Sequence, residues 1–292
     1  MFIAGIDGGG THTRIELRDT ENRLLRRGEF GPFNINSVGE VAFGALLREV
    51  FDWCGGMEDC DRLCVGGAGV SNPKTGEILT RELENAGFRG KWTLCGDQEI
   101  ALRGAMDGAG VVVIAGTGSI CFGKNDAGQT ARSGGFGHLI DDGGSGYALG
   151  REVLACAVRC ADGRISYPGI LQAVCDRLNG GVEKIVPFVY APETDKSTIA
   201  QFASIALEQA SRDDCEAWRI LRQEADELAH MVAAVQKRLD IPKCRIALLG
   251  GLIASDNPYR QAVVDSLACL GSVVPAEHDA LWGAAQMAWE MN

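Results

Sequence analysis

Two glycine-rich loops, each placed directly after a short apolar segment, constrain this chain more than any other feature. The first loop, Asp7-Gly8-Gly9-Gly10-Thr11, follows the apolar segment from Phe2 to Ile6, and the second, Gly116-Thr117-Gly118-Ser119, follows Gly110 to Ala115. In both places a half-exposed strand, a turn and another strand are predicted next. The order strand, glycine loop, strand, turn, strand therefore occurs twice and indicates an internal structural repeat.

The rest of the chain predicts helices that alternate with buried strands, which is typical of the α/β class. Apolar residues at steps of three and four predict helices over 38–53, where Val41 and Trp53 belong to the apolar stripe, and over 76–86, 146–160, 216–239 and 280–291. Ser197 is predicted to cap a helix that runs through Gln209. At 292 residues the chain exceeds a usual single domain. We expect an N-terminal lobe, 1–110, and a C-terminal lobe, 111–292, each a mixed sheet flanked by helices.

Composition limits the partners and the compartment. The net charge of −11 makes a nucleic-acid or anionic-membrane surface improbable, so the expected substrate is small. The first residues predict a core strand and no signal peptide, and the apolar runs are too short to span a membrane. Eleven cysteines, an odd count without a Cys-x-x-Cys pair, fit free thiols in a reducing cytosol. We therefore expect a cytoplasmic protein.

The first glycine loop has polar residues suited to phosphate chemistry. Glycine triplets after a strand are often only turns, but here Asp7, Thr11 and Thr13 surround the triplet. Backbone N–H groups in such turns bind phosphate oxygens, and a carboxylate can hold Mg²⁺ through water. The pattern favours phosphate binding, with Asp7 as the predicted magnesium residue.

The segment from Gly118 to Asn125 nearly matches a P-loop, but the match fails. Asn125 stands where the metal-binding Ser or Thr is required, and 119–122 predicts a strand in place of a loop. Lys124 is expected at a solvated hairpin. Only Gly116 to Ser119 is kept as a second phosphate turn.

Asp97 is a lone carboxylate at a predicted strand-to-helix turn. Two interpretations of it stay open, a helix N-cap and a general base, because aspartate serves both purposes at such a position. Glu99, two residues later, is interpreted as a surface helix residue.

Seven ordered motifs along the chain resemble those of the N-acetylglucosamine kinases in the BadF/BadG/BcrA/BcrD ATPase family. They are Asp7-Gly8-Gly9-Gly10-Thr11 with Thr13, Gly31-Pro32-Phe33-Asn34, Gly67-Ala68-Gly69, Gly96-Asp97, Ala115-Gly116-Thr117-Gly118-Ser119, Gly134 to His138 leading to Asp142-Gly143-Gly144-Ser145, and Leu249-Gly250-Gly251. The resemblance implies the actin-like, ribonuclease H-like ATPase fold. It also implies that the terminal helix, 280–292, packs back toward the N-terminal lobe.

The resemblance implies a role for each matching residue. Asp97 becomes the catalytic base and Asp7 the metal residue. The nucleotide-binding residues implied are Gly8, Gly9, Gly10, Thr11, Thr13, Gly116, Thr117, Gly118, Ser119, Gly250 and Gly251. The sugar-binding residues implied are Asn34, Ala68, Gly69, Asp97, Thr117, Gly135 and Asp142. Asn36 competes with Asn34 for its role.

The activity implied is ATP- and magnesium-dependent phosphorylation of an amino sugar, N-acetyl-D-glucosamine at its 6-hydroxyl, by a homodimer. A glucosamine kinase or a broad hexokinase is the nearest alternative. A different class, the ATPase activators of hydroxyacyl-CoA dehydratases and benzoyl-CoA reductase, holds an iron–sulfur cluster through cysteines, and 143–147 has none. The chain departs from the family at Gly143, where an acidic residue or Gln is usual, and Asp141 is a candidate to compensate.

Overall fold

The computed structural model describes residues 1–291, with only the backbone described for Pro168. The chain divides into two compact units. The first contains Met1–Asp107 together with the C-terminal stretch that begins at Ala276, and the second contains Gly108–Pro275.

The structure contains ten strands and twelve α-helices within residues 1–291, and a 3₁₀ turn at Val182–Lys184. The strands are β1 Phe2–Gly8, β2 Thr13–Arg18, β3 Leu24–Phe30, β4 Cys60–Gly67, β5 Lys91–Gly96, β6 Gly110–Ala115, β7 Ser119–Lys124, β8 Thr130–Gly134, β9 Cys244–Leu249 and β10 Gly271–Val274. The helices are α1 Ile35–Val38, α2 Glu40–Trp53, α3 Pro73–Asn85, α4 Asp97–Ala105, α5 Gly146–Ala161, α6 Pro168–Arg177, α7 Ile185–Val189, α8 Lys196–Ala200, α9 Ala203–Ala210, α10 Cys215–Leu239, α11 Pro258–Leu267 and α12 Ala280–Trp289.

Each unit has a five-stranded mixed sheet with the same topology. The order is β3-β2-β1-β4-β5 in the first unit and β8-β7-β6-β9-β10 in the second. In both sheets the first three strands along the chain form an antiparallel meander, and the last two run parallel to the first of them. The predicted internal repeat and the predicted α/β class, with mixed sheets flanked by helices, are confirmed.

The central strand β1 is buried on both faces, which explains its apolar sequence. Ala4 and Ile6 belong to the core that includes the buried residues of α2 and α3, whereas Ile3 packs with Ala284 and Ala288 of α12. Because successive side chains point to opposite faces, Gly5 shares the α12 face, and a Cβ there would lie 2.3 Å from the Ala285 nitrogen. Only glycine permits this close contact between β1 and α12.

The predicted apolar stripe of α2 is wrong in part. Val41 is 87% exposed, while Phe43, Leu47 and Phe51 are buried. The helix begins only at Glu40, after Gly39 with its positive φ of 82°. The larger apolar side chains, Phe43 and Phe51, then set which face turns to the sheet.

The predicted cap at Ser197 is also wrong. Asp195 caps α8, since its carboxylate accepts the Thr198 N–H at 2.8 Å. The helix ends at Ala200 and α9 begins at Ala203, so the predicted single helix is two. Helices α1, α6, α7 and α11 and strand β10 were not predicted.

None of the helices within residues 1–291 is both long enough and apolar enough to cross a bilayer.

Candidate active site

The first glycine loop is a tight turn that connects β1 to β2. The Gly9 N–H donates to the His12 carbonyl at 2.8 Å, which leaves Gly10 and Thr11 exposed at the tip. At Gly8 a Cβ would lie 2.3 Å from the Phe33 ring, so a side chain has no room at this strand end. The backbone at Gly10 and Thr11 is thus open to an anion, whereas the Gly9 N–H is engaged within the turn; the predicted nucleotide contacts of Gly8, Gly9, Gly10 and Thr11 stay predictions.

Thr13 occupies the base of this loop. It is 1% exposed, and its hydroxyl donates to the Gly31 carbonyl at 2.7 Å. This bond ties the beginning of β2 to the segment after β3. The structure therefore gives Thr13 a supporting position beneath the loop, and its predicted contact with a nucleotide stays a prediction.

Asp7 lies near the end of β1, opposite Arg14 on β2. One Asp7 oxygen, Oδ2, accepts a hydrogen bond from Arg14 Nη2 at 2.5 Å, and Arg14 Nη1 contacts Asp279 at 3.3 Å. Partial burial disfavours the guanidinium charge, but these two carboxylates outweigh it, so the pKa of Arg14 is raised. Arg14 is a positioning residue for Asp7 that the sequence pattern did not reveal.

Asp97 is the first residue of α4, directly after β5. It is not the N-cap: Gly96 has that position, and Glu99 closes the helix start by accepting the Gly96 N–H at 3.0 Å. The N-cap interpretation of Asp97 is therefore wrong, and so is the interpretation of Glu99 as a surface residue, because Glu99 is half-buried and makes this cap.

The Asp97 carboxylate keeps one oxygen available. Oδ1 accepts the N–H of Gln98 at 2.9 Å, whereas Oδ2 has no hydrogen-bond partner among residues 1–291. Burial raises the pKa of Asp97; the Gln98 N–H opposes this, and the negative charge of Asp7 adds to the increase. A carboxylate with a raised pKa and a free oxygen is suited to accept a proton.

Asp7 offers a ligand atom of the kind that a hydrated Mg²⁺ prefers. Asp7 Oδ1 is a carboxylate oxygen without a hydrogen-bond partner in the described part of the chain. Hard oxygen ligands, few in number, match an ion that keeps most of its water. No group of three or more possible metal-binding side chains occurs within residues 1–291, so protein atoms would supply only part of the coordination.

Asn34, Ala68 and Gly69 form one cluster beyond the ends of β1 and β4. The Ala68 N–H donates to the Gly8 carbonyl at 2.8 Å, which connects this cluster to the first glycine loop. Gly69 has a positive φ of 79°, and a Cβ on it would lie 2.5 Å from Asn34 Oδ1. The structure thus brings these three predicted sugar residues together.

Asn34 retains a free donor in this cluster. Its Oδ1 caps α1 by accepting the Asn36 N–H at 3.1 Å, and its amide nitrogen has no partner among residues 1–291. Asn36 is exposed, and its Oδ1 accepts from Asn72 at 2.8 Å. Both side chains lie beside Gly69, since a Cβ there would also be 3.2 Å from Asn36 Nδ2, so the structure does not decide between the two candidates.

The second glycine loop follows β6 in the other unit and is held by helix α5. The Gly116 N–H donates to the Gly118 carbonyl at 2.9 Å, which closes the turn. The N–H groups of Gly146 and Tyr147 donate to the carbonyls of Gly116 at 2.7 Å and of Thr117 at 3.2 Å. The first residues of α5 therefore fix the carbonyls of this loop. The Thr117 hydroxyl has no hydrogen-bond partner within the described chain.

Asp142 lies behind this loop. It is 3% exposed, with a left-handed φ of 64°, and its carboxylate makes a long contact of 3.5 Å with the Ser119 N–H. The Ser119 hydroxyl donates to the Gly143 carbonyl at 2.6 Å. Asp142 and Ser119 therefore support the loop from beneath, and the predicted contact of Asp142 with sugar hydroxyls stays a prediction.

Position 143 lacks an acidic side chain, but one lies beside it. A Cβ on Gly143 would be 3.2 Å from the side chain of Glu227, on α10. The proposed substitute, Asp141, is otherwise engaged, because its carboxylate accepts the Phe136 N–H at 3.0 Å. This bond closes the turn from Phe136 to Asp141, which begins directly after Gly135, whose φ is 76°. Of Asp141 and Glu227, the side chain of Glu227 is therefore the nearer to position 143. It was not predicted because it is distant from Gly143 in the sequence.

The peptide at Gly144 is clamped by two buried side chains that the sequence pattern did not reveal. Its N–H donates to Glu224 Oε2 at 2.8 Å, and its carbonyl accepts from the Tyr259 hydroxyl at 2.7 Å. Burial raises the pKa of both Glu224 and Tyr259. This clamp fixes the segment that carries Asp142.

Gly250 and Gly251 follow β9 at the same edge of the second sheet. Gly250 has a φ of 90°, and a Cβ on it would lie 2.3 Å from the Ala115 carbonyl oxygen, so the two strand ends meet closely. Gly251 has open space where a side chain would be. Such an uncovered backbone suits a flat group such as a purine.

Comparison with known proteins agrees with this geometry. Residues 4–288 match the model of the BadF/BadG/BcrA/BcrD ATPase family. The chain is 32% identical to an N-acetylmuramic acid/N-acetylglucosamine kinase of Clostridium acetobutylicum, over 88% of this chain and 87% of that one. It is 31% identical to an N-acetyl-D-glucosamine kinase of Dictyostelium discoideum, over 83% and 81% of the two chains.

A solved structure of a candidate N-acetylglucosamine kinase from Chromobacterium violaceum is also similar. It has a TM-score of 0.77 at 25% identity, with 98% of each chain covered. This likeness and the repeated strand order confirm the predicted actin-like ATPase fold. All three of these relatives carry the names of sugar kinases. The chain belongs to the BadF/BadG/BcrA/BcrD ATPase family.

Proposed function

We propose that this protein is an ATP-dependent sugar kinase that transfers the γ-phosphate to the 6-hydroxyl of N-acetyl-D-glucosamine. The names of the two relatives that are more than 30% identical support the acceptor class, since both include N-acetylglucosamine. The observation that carries the proposal is Asp97, a carboxylate at the end of β5 with a raised pKa and a free Oδ2.

In this mechanism Asp97 orients the sugar hydroxyl and accepts its proton at Oδ2. Because burial and the charge of Asp7 raise the pKa of Asp97, its proton affinity is closer to that needed at neutral pH. A general base of this kind contributes about 10²–10⁴-fold in rate. The Gln98 N–H keeps the carboxylate oriented through Oδ1.

The phosphate groups are assigned to backbone donors. In the proposal, the loops Gly8 to Thr11 and Gly116 to Ser119 bind phosphate oxygens through the backbone N–H groups that their internal hydrogen bonds leave free, and they stabilise the charge that develops during transfer. Bound Mg²⁺ would neutralise phosphate charge, and Asp7 would hold it through water. Arg14 holds the Asp7 carboxylate in position by its hydrogen bond of 2.5 Å.

The sugar is assigned to the cluster of Asn34, Ala68 and Gly69 and to Asp97, Thr117, Gly135 and Asp142. The free amide of Asn34 can donate to a hydroxyl, and the Thr117 hydroxyl is available for the same purpose. Gly250 and Gly251 are assigned to the adenine and ribose. A cytoplasmic homodimer remains part of the proposal.

A panel of sugars with MgATP tests this function. N-acetylglucosamine, N-acetylmuramic acid, glucosamine and glucose are compared by ADP release, and phosphorylated products are located by ³¹P-coupled NMR. We expect the N-acetylated sugars to have the highest kcat/KM and the phosphate to be on O6. ADP release that no sugar stimulates would refute a sugar kinase, whereas faster turnover of glucosamine or glucose would refute only the acceptor.

The activator ATPases remain the alternative of another class. Their cluster needs cysteines in the segment after the second phosphate loop, and 143–147 contains Gly and Ser but no Cys. A purified protein without iron or visible absorption near 400 nm supports the kinase, and an oxygen-sensitive brown protein supports the activator.

A further inference from the structure

The second unit contains a cavity of about 500 Å³ that the proposed kinase chemistry does not use. One wall is a face of α5, and the opposite wall is formed by α7. Cavities of roughly 300–1,000 Å³ are the size that small-molecule ligands occupy.

The charge of this cavity is opposite to that of the whole protein. Its lining includes Arg151, Arg159 and Arg164 and no Asp or Glu. The chain as a whole has 39 acidic against 28 basic residues, for a net charge of −11. Glu152 and Asp162 pair with two of these arginines from outside the lining, so the charged groups that face the concave surface are all guanidinium groups, with Arg159 the one left unpaired within residues 1–291.

The arginines are separated by apolar side chains along α5. Arg159 and Arg164 lie at one end, where the Arg164 N–H donates to the Arg159 carbonyl at 2.9 Å. Arg151 lies two helical turns earlier, about 12 Å along the axis. Leu154 and Val158 line the cavity between these ends. The site is thus charged at its ends and apolar in its middle.

These guanidinium groups are available to a ligand. The Arg159 side chain makes no ion pair or hydrogen bond within residues 1–291. Arg151 pairs with Glu152 at 3.3 Å and Arg164 with Asp162 at 2.7 Å, and both arginines are more than half exposed. The single exposed contact of Arg151 is weak, so a ligand anion can replace Glu152. Asp162 holds Arg164 through Nε and Nη2, which leaves Arg164 Nη1 for a ligand anion beside Arg159.

The wall formed by α7 presents apolar surface to the same space. Ile185 is buried, but Val186 is 60% and Tyr190 is 82% exposed. These two side chains can cover an apolar ligand body that lies on Leu154 and Val158.

Helix α5 connects this cavity to the second glycine loop. Tyr147 lines the cavity, and its own N–H donates to the Thr117 carbonyl at 3.2 Å. Its ring also makes an edge contact with His138, at 4.8 Å between centroids. A ligand that moves the first turn of α5 therefore acts on the loop assigned to nucleotide phosphates.

We propose that this cavity is a regulatory site for a small organic anion with an apolar body, and that its occupation changes nucleotide affinity through α5. The anionic group binds Arg159 and Arg164, and the apolar body lies between α5 and α7. The binding part of the proposal does not depend on the identity of the sugar.

Binding is tested on the full-length protein with 8-anilinonaphthalene-1-sulfonate, an aromatic sulfonate, by fluorescence titration. We expect one saturable site, with affinity at least tenfold weaker in R159Q/R164Q and in A155W, which fills the cavity at Ala155 without removing an arginine. The control R212Q removes an exposed arginine elsewhere in the same unit and should bind like the wild type.

Three results would overturn the binding site. They are the absence of saturable binding, an equal loss in R212Q, and unchanged affinity in both cavity variants. Displacement of the probe by millimolar inorganic phosphate would show that any anion suffices and would refute the requirement for an apolar body. If A155W splits a wild-type dimer in analytical ultracentrifugation, the cavity is an interface between copies and the ligand proposal fails.

Regulation is tested separately by calorimetric titration of a non-hydrolysable ATP analogue with and without saturating probe. We expect the dissociation constant to change at least fivefold in the wild type and in R212Q, and not in R159Q/R164Q. A constant that is the same with and without bound probe in the wild type would refute the coupling. Because the measurement uses binding and not turnover, it does not depend on sugar phosphorylation.

Discussion

The carboxylates of Asp7 and Asp97 influence each other electrostatically across the first sheet. Asp7 lies near the end of β1 and Asp97 follows β5, with only β4 between these parallel strands. The charge of Asp7 adds to the burial that raises the pKa of Asp97. Arg14 Nη2 donates to Asp7 Oδ2 at 2.5 Å and so holds the carboxylate whose charge acts on Asp97.

The pKa of Asp97 should therefore lie above the usual 3.8 of an aspartate. Because the base must be deprotonated, kcat/KM should fall as the pH decreases through this raised value. The direct measurement is the ¹³C carboxyl shift of Asp97 against pH, assigned with D97N. D7N should lower the midpoint, since it removes a nearby negative charge. A midpoint at or below 3.8 in the wild type contradicts this electrostatic description.

The same shift predicts that D97N stabilises the protein at neutral pH. Between 3.8 and the raised pKa the folded state binds the proton more tightly than the unfolded chain, so the free energy of unfolding falls as pH rises through this window. A tenfold difference in proton affinity is worth about 1.4 kcal/mol. Asparagine carries no charge at this position, so the free energy of unfolding of D97N does not fall in this way as the pH rises.

Thermal unfolding at pH 7 and pH 3.5 measures this effect. At pH 7 the Tm of D97N should exceed that of the wild type by roughly 2–4 °C per kcal/mol, and at pH 3.5 the gain should disappear. D126N, a change at an exposed aspartate in the β7–β8 turn, should leave Tm unchanged. A lower Tm for D97N at pH 7 would show that its charge is not destabilising.

Tyr259→Phe should weaken the clamp on Gly144. The change leaves the Gly144 carbonyl without its donor at a buried site, which costs about 1–3 kcal/mol. The carbonyl of the adjacent Gly143 accepts from the hydroxyl of Ser119, in the second glycine loop. Because a loosened Gly144 can disturb this bond, we also expect several-fold weaker binding of nucleotide. Chemical denaturation and calorimetry measure the two effects. Y190F, at an 82% exposed tyrosine, is the control, and equal effects in both variants would contradict the clamp.

The sequence was most informative where local pattern determines structure. Short apolar runs followed by glycines predicted β1 and β6, and the turn residues predicted the meanders, so the repeat could be recognised from the sequence alone.

Interactions over longer distances could not be predicted in this way. Glu224 and Tyr259 contact Gly144 from 80 and 115 residues away, and nothing in their own neighbourhoods marks them as polar partners. Glu227 beside Gly143 is a similar case. The buried face of α2 was predicted wrongly because the spacing of apolar residues does not show which of them, Phe43 or Val41, packs against the sheet.

Single-turnover phosphate transfer with D97N is the most direct test of Asp97 as the general base. With N-acetylglucosamine and MgATP in the wild type and D97N, we predict a loss of about 10²–10⁴-fold in the transfer rate. The dissociation constant of the ATP analogue should change less than threefold, because Asp97 is not assigned to the nucleotide. Transfer by D97N within tenfold of the wild-type rate, at intact nucleotide binding, would contradict the mechanism.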